Sequence, residues 1–157
     1  MTTLTESPWQ TRDVPEESLA TTVNPAPLAA LREVRDAFAG HDVWAWPDGF
    51  GGVHVVIEGI PLGAAWAQET SWLGFTINYL YPDADTYPHY VRADLSRADG
   101  IALVAPIHVG NAFQEQPAVM VSRSSPRRVS GLSTAARKAL SVVSFIQSQP
   151  ATQTELR

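Results

Sequence analysis

The segment from Gly74 to Gly100, GFTINYLYPDADTYPHYVRADLSRADG, limits the fold of this chain more than any other. An alternating apolar run ends at Tyr81-Pro82, and a second extended run begins after Tyr87-Pro88. Proline offers no amide hydrogen to a sheet ladder and pushes the residue before it out of helical geometry. Each Tyr-Pro step therefore marks where a strand stops or restarts. The loop between them is stiff, aromatic and fixed in direction, and Asp83 and Asp85 fit it as turn formers.

Elements on either side follow from spacing. Pro27 suits the first turn of a helix carrying Leu28, Leu31, Val34 and Phe38, and Gly40 suits its left-handed stop. The stretch His41 to Gly52 contains WAWPDGFGG and reads as a turn, with Trp44 and Trp46 packed at the edge of the core. In Val53 to Leu62 the residues Val53, Val55 and Ile57 share one strand face, which turns His54 toward solvent. Thr70 to Leu80 is the clearest strand, with Leu73, Phe75, Ile77 and Tyr79 on one face. Tyr90 to Leu95, Ile101 to Ile107 and Ala118 to Val121 add short extended segments. A last helix starts near Ser133, presents Leu132, Ala136, Leu140 and Val143 as its apolar stripe, and is closed by Pro150.

This order predicts an α+β domain in which a four-stranded antiparallel meander lies between helices near residues 27–39 and 133–148. Val55, Ile57, Phe75, Ile77, Leu31, Phe38, Leu140 and Val143 are its expected core. Residues 1–24, rich in Thr, Ser, Glu and Pro, are expected to form a flexible tail, residues 25–150 one domain, and residues 151–157 a C-terminal tail.

At 157 residues and 45% apolar side chains, one globular domain with a real core is expected. No apolar run approaches the roughly 20 residues of a membrane span. The polar start MTTLTESPWQTRD lacks the pattern of a signal peptide, so a cytoplasmic location is expected. With no cysteine, disulfides, thiolate metal sites and thiol nucleophiles are excluded. The four histidines, His41, His54, His89 and His108, form no metal-binding pair, and Gly49-Phe50-Gly51-Gly52 lacks the spacing of a phosphate loop. Neither a metal nor any other cofactor is expected. Residues 1–115 carry 15 acidic and 5 basic side chains, a balance of −10, whereas residues 116–157 carry 6 basic against Glu155, a balance of +5. Five of those six lie from Arg123 to Lys138. That segment suits an acidic partner or an anionic tail better than nucleic acid, because the whole chain is acidic and no aromatic side chain interleaves the basic run.

A helix, then VHVVIEGIPL, then SWLGFTINYLYPDADTYPHYV resembles the ubiquitin-conjugating enzyme family over residues 27–149. His108-Val109-Gly110-Asn111 occupies the place of that family's His-Pro-Asn motif, without its proline, and QPAVMVSRSSPRR falls where the family has its catalytic cysteine. The Ser-Arg run is similar to segments of bacterial relatives encoded beside ubiquitin-like proteins. The resemblance implies a ubiquitin-like modifier and a ThiF-like activating enzyme as partners, together with a deconjugating metallopeptidase, and no nucleic acid or membrane.

Such an enzyme needs a nucleophile that takes up an activated carbonyl and yields it to an amine. Without cysteine, a serine would carry the modifier as an oxyester. Ser122 is the first candidate because it follows AVMV, as a residue at an exposed strand end would; Ser125 is the next, and Ser124 lies between. A serine hydroxyl needs a base or nearby cations. By the resemblance, Asn111 would donate to the oxyanion and His108 would orient the loop or act as base. Arg123, Arg127 and Arg128 would hold the oxyanion or the modifier's tail. The alternative is a catalytically silent protein that binds the modifier or its activating enzyme.

Overall fold

The computed structural model describes residues 7–123 and 134–152. Within them, six strands form one open antiparallel sheet: β1 (Val43–Pro47), β2 (Val53–Pro61), β3 (Thr70–Ile77), β4 (His89–Arg92), β5 (Ile107–Phe113) and β6 (Gln116–Val121). Their spatial order is β1-β2-β3-β4-β6-β5. The α-helices among the described residues are α1 (Glu16–Leu19), α2 (Pro25–Ala37) and α3 (Ala135–Gln147), with a 3-10 turn at Gln10–Arg12.

The four-stranded meander with one helix at each end is thus overturned, and with it the ubiquitin-conjugating-enzyme-like architecture. The added helix α1 lies in the segment expected to be a tail, and two local misreadings account for the strands. WAWPDGFGG looks like a turn because of its proline and glycines, yet Val43–Pro47 is a strand paired with β2. Pro47 is tolerated at the end of that edge strand, where a missing amide breaks no interior ladder. Farther on, residues 101–106 form no strand despite their apolar content; Ile101 and Val104 are exposed, and the strand begins only at Ile107. β5 then turns back into β6, and β6 rather than β5 lies beside β4.

One face of the sheet carries the helices. Val53, Val55, Ile57, Leu73, Phe75 and Ile77 point into it and are buried against Leu28, Leu31, Val34 and Phe38 of the α2 region. α2 begins with Pro25 in its first turn, and Gly40 just beyond it has φ of 95°. α3 is capped by Thr134, whose hydroxyl accepts from Arg137 N at 3.1 Å. Its buried stripe is Ala135, Ala136, Ala139, Val142 and Ile146, while Leu140 is exposed and Val143 only partly buried. The expected stripe was therefore out of phase, because small alanines let this helix pack closely while the larger Leu140 faces outward. Leu132 and Ser133 lie outside the described residues.

The opposite face has its own layer. Trp9, 1% exposed, covers it together with Trp46, Val56, Phe113 and Ala118, and partly buried Trp44, Trp72 and Tyr90 pack around them. From Ser7 onward the expected loose tail is part of the folded body, since Leu19 and Val23 are buried as well. His54 is not turned to solvent: it lies in this layer, 5.5 Å from the Trp46 ring, with Nδ1 2.7 Å from Thr76 Oγ1. Burial foremost pulls its pKa below the usual histidine range; Asp48 opposes the shift and Arg12 adds to it.

Phe113 reaches this layer because the β5–β6 hairpin bends across the sheet. Its ring stacks on Tyr90 at 5.1 Å and lies over β3. Gly74 makes room for it, since a Cβ there would stand 2.8 Å from the Phe113 ring.

Candidate functional site at the exit of β6

β6 ends at Val121, whose side chain is buried beneath the sheet, so the next residue turns to the other side. That residue is Ser122. Its amide donates to Pro106 O at 2.8 Å, and its Oγ lies 2.7 Å from Tyr87 Oη. Tyr87 belongs to the Tyr-Pro loop, in which Tyr81-Pro82 and Tyr87-Pro88 are both cis. The loop is tied to α3 twice. Ala135 N donates to Tyr81 Oη at 3.2 Å, and Lys138 Nζ donates to Asp85 at 3.2 Å. Tyr87 thus approaches Ser122 from a firmly held support.

Beside this pair is a concavity of about 170 Å³ lined by Thr76, Tyr87, Pro88, Tyr90, Phe113 and Gln114. Its walls are aromatic with hydroxyl and amide groups among them. The Tyr90 phenol is shifted upward, first by burial and then by Tyr87. Arg123 leaves β6 along α3: its Nη1 donates to Ser141 O at 3.4 Å, and its Cζ lies 4.4 Å from the centre of the Phe145 ring.

The other expected site residues are distributed differently. His108 lies on β5 opposite Met120, and Asn111 lies opposite Ala118 after a bulge at Val109 and Gly110. Gly110 has φ of 78°, a conformation that a residue without Cβ adopts freely. Asn111 Nδ2 donates to His108 O and Val109 O, each at 3.2 Å. Its amide is therefore engaged in holding the bulge, and neither Asn111 nor His108 is hydrogen-bonded to Ser122. Ser124, Ser125, Arg127 and Arg128 lie outside the described residues.

Tyr87 was not anticipated as a partner of Ser122, because 35 positions separate them; only the stiffness of its loop was visible in the sequence. His89 was also missed. It is fully buried under α3, its ring 4.9 Å from Phe75, and neither ring nitrogen has a hydrogen-bond partner among the described residues. Its alternation with Val91 was the signal that would have placed it inside.

Among the described residues no cluster of three or more His, Asp or Glu side chains is arranged to hold a metal ion, and no helix is long and apolar enough to cross a membrane. No family model, no curated protein and no solved structure matches the chain.

Proposed function

We propose that this chain is a protein-binding module that holds the extended tail of a ubiquitin-like partner at the exit of β6 without bonding to it covalently. The observation that carries this reading is the 2.7 Å contact between Ser122 Oγ and Tyr87 Oη. The hydroxyl is engaged by a phenol, and among the described residues no imidazole, carboxylate or amine is hydrogen-bonded to it. Within the described residues the Ser122 hydroxyl is thus held by another hydroxyl, an arrangement that suits a binding contact, whereas acyl transfer calls for a base beside the nucleophile. The adjoining concavity supplies groups suited to an extended peptide: flat rings at Tyr90 and Phe113, and polar groups at Thr76 and Gln114. Arg123 adds a cation for an acidic or C-terminal carboxylate. The ubiquitin-like class of partner, and a ThiF-like enzyme as its companion, come from the sequence resemblance.

Calorimetric titration with a ubiquitin-like protein and with a ThiF-like activating enzyme tests the reading. Affinity is expected to survive Ser122→Ala, to fall several-fold in Arg123→Lys, and to fall further in Arg123→Glu. An absence of affinity for both proteins, or equal affinity in Arg123→Glu, refutes it.

A second reading is favoured by the position of Ser122 at an accessible strand exit, hydrogen-bonded to a group that can relay a proton: an oxyester carrier. Incubation with modifier, activating enzyme and ATP would then give an alkali- and hydroxylamine-sensitive adduct that Ser122→Ala abolishes. An adduct undiminished when Ser122, Ser124 and Ser125 are all changed to alanine excludes serine carriage.

A further inference from the structure

A second concavity, separate from the Ser122–Tyr87 contact, lies between α3 and the chain entering β5. Its volume is about 150 Å³, and Leu103, Val104, Ile107 and Phe145 give it apolar walls. A cavity of that size accepts a benzene-sized group. Trp66 and Arg97 close one side.

Arg97 is unusual among the charged residues. Its side chain is 2% exposed, and two of its three nitrogens are committed. Nε and Nη2 donate to the two oxygens of Asp99 at 3.0 and 2.9 Å, and Nη2 also donates to Pro150 O at 2.7 Å. The guanidinium carbon lies 5.9 Å from the centre of the Trp66 ring, whose own N–H is spent on Ile146 O at 3.0 Å. Nη1 has no hydrogen-bond partner among the described residues, and it is not sealed in protein. A guanidinium that is 2% exposed and keeps uncommitted N–H groups at the edge of an apolar hollow offers an entering acceptor a charge-assisted hydrogen bond. Asp99 offsets the charge of Arg97, so the attraction for an entering acceptor is that of a charge-assisted hydrogen bond at close range.

The geometry points to a binding site for a small apolar carboxylate, a branched or phenyl group seated among Leu103, Val104, Ile107 and Phe145 with its carboxylate accepting from Arg97 Nη1. The same chemistry is offered by a free acid and by the last residue of a peptide ending in Leu or Phe. This site does not depend on how the exit of β6 is used.

The test is a titration of the full chain by heteronuclear NMR with benzoate, 4-methylpentanoate, the neutral isostere benzamide, and acetylated tripeptides ending in Leu or Phe as free acids or as amides. Benzoate is expected to shift the Trp66 indole and the Val104 and Ile107 signals saturably, and to bind about tenfold more tightly than benzamide because its acceptor is charged. Val104→Trp, placed on the exposed rim, is expected to fill the hollow and abolish those shifts while the rest of the spectrum stays in place. Arg97→Gln, checked for folding by circular dichroism, is expected to equalise benzoate and benzamide. Tighter binding by the free-acid peptides than by their amides and by benzoate identifies a chain terminus as the natural source; the reverse identifies a free acid. Equal binding of benzoate and benzamide by the unaltered protein, shifts that persist in Val104→Trp, or no saturable shift with any acid overturns the proposal.

Discussion

At the scale of single residues, His89 makes the most definite claim on solution behaviour. Burial above all, then the Lys138 charge, holds its pKa at about 3 against an ordinary value of 6.5, with Asp85 acting in opposition. Between those two pH values the unfolded chain binds a proton that the folded chain refuses. Stability from this source is therefore complete above pH 6.5, declines as pH falls, and stops declining below about 3. The slope approaches about 1.4 kcal/mol per pH unit where only the unfolded state is protonated. Urea unfolding of His89→Leu across this range is expected to show a flatter acid limb than the unaltered protein, and an identical limb would place the acid sensitivity elsewhere. His89 alternates with Val91, so its burial was legible in the spacing of β4. The place of Ser122 at the end of an apolar strand was legible in AVMV, which forms the last part of β6. Its contact with Tyr87 depends on how the sheet is ordered and could not be read from local spacing.

At the scale of elements, the His108-Val109-Gly110-Asn111 motif is a bulged edge strand. Asn111→Ala removes two hydrogen bonds to carbonyl oxygens and is expected to cost about 1 kcal/mol in thermal or chemical unfolding with no partner present. A purely catalytic asparagine would leave that stability unchanged. β3 illustrates a different dependence. Gly74→Ala would drive a methyl into the Phe113 ring, so the bent hairpin must shift, with an expected loss of about 1–3 kcal/mol and altered near-ultraviolet circular dichroism. If the loss is absent, the hairpin is not held there by close fit. Strong alternation made β2 and β3 legible, because the helix-facing and outward-facing residues of each differ in kind. β1 was hidden behind its proline and the glycines that follow. The phase of α3 was hidden because its buried side is built largely of alanine, while its largest aliphatic residue, Leu140, is exposed.

At the scale of the whole molecule, the sheet is covered on both sides, and each cover has a different origin in the sequence. The helical side comes from α2 and α3 together with the short α1, and of these periodicity revealed the buried stripe of α2. The other side is assembled from Trp9, Trp46, Phe113 and their neighbours, single aromatics from distant parts of the chain whose meeting has no local signature. Strand order was illegible for the same reason: pairing of β4 with β6 joins segments separated by β5, and nothing in either segment names its neighbour. α2, β2 and β3 could be found by local rules, whereas the sheet that brings Ser122 to Tyr87 depends on contacts remote in sequence.

The remote contact of Trp9 also has a consequence for biosynthesis. Its ring lies 5.7 Å from Phe113 and 4.8 Å from Trp72, so its hydrophobic shelter is made from chain that leaves the ribosome long after it. Trp46, 6.0 Å away, can shelter it earlier, but Trp72 and Phe113 follow only after much more of the chain. Until the β5–β6 hairpin has been synthesised, the Trp9 indole lacks the part of its cover that Phe113 supplies, and a growing chain in that state offers a chaperone an incompletely sheltered aromatic ring.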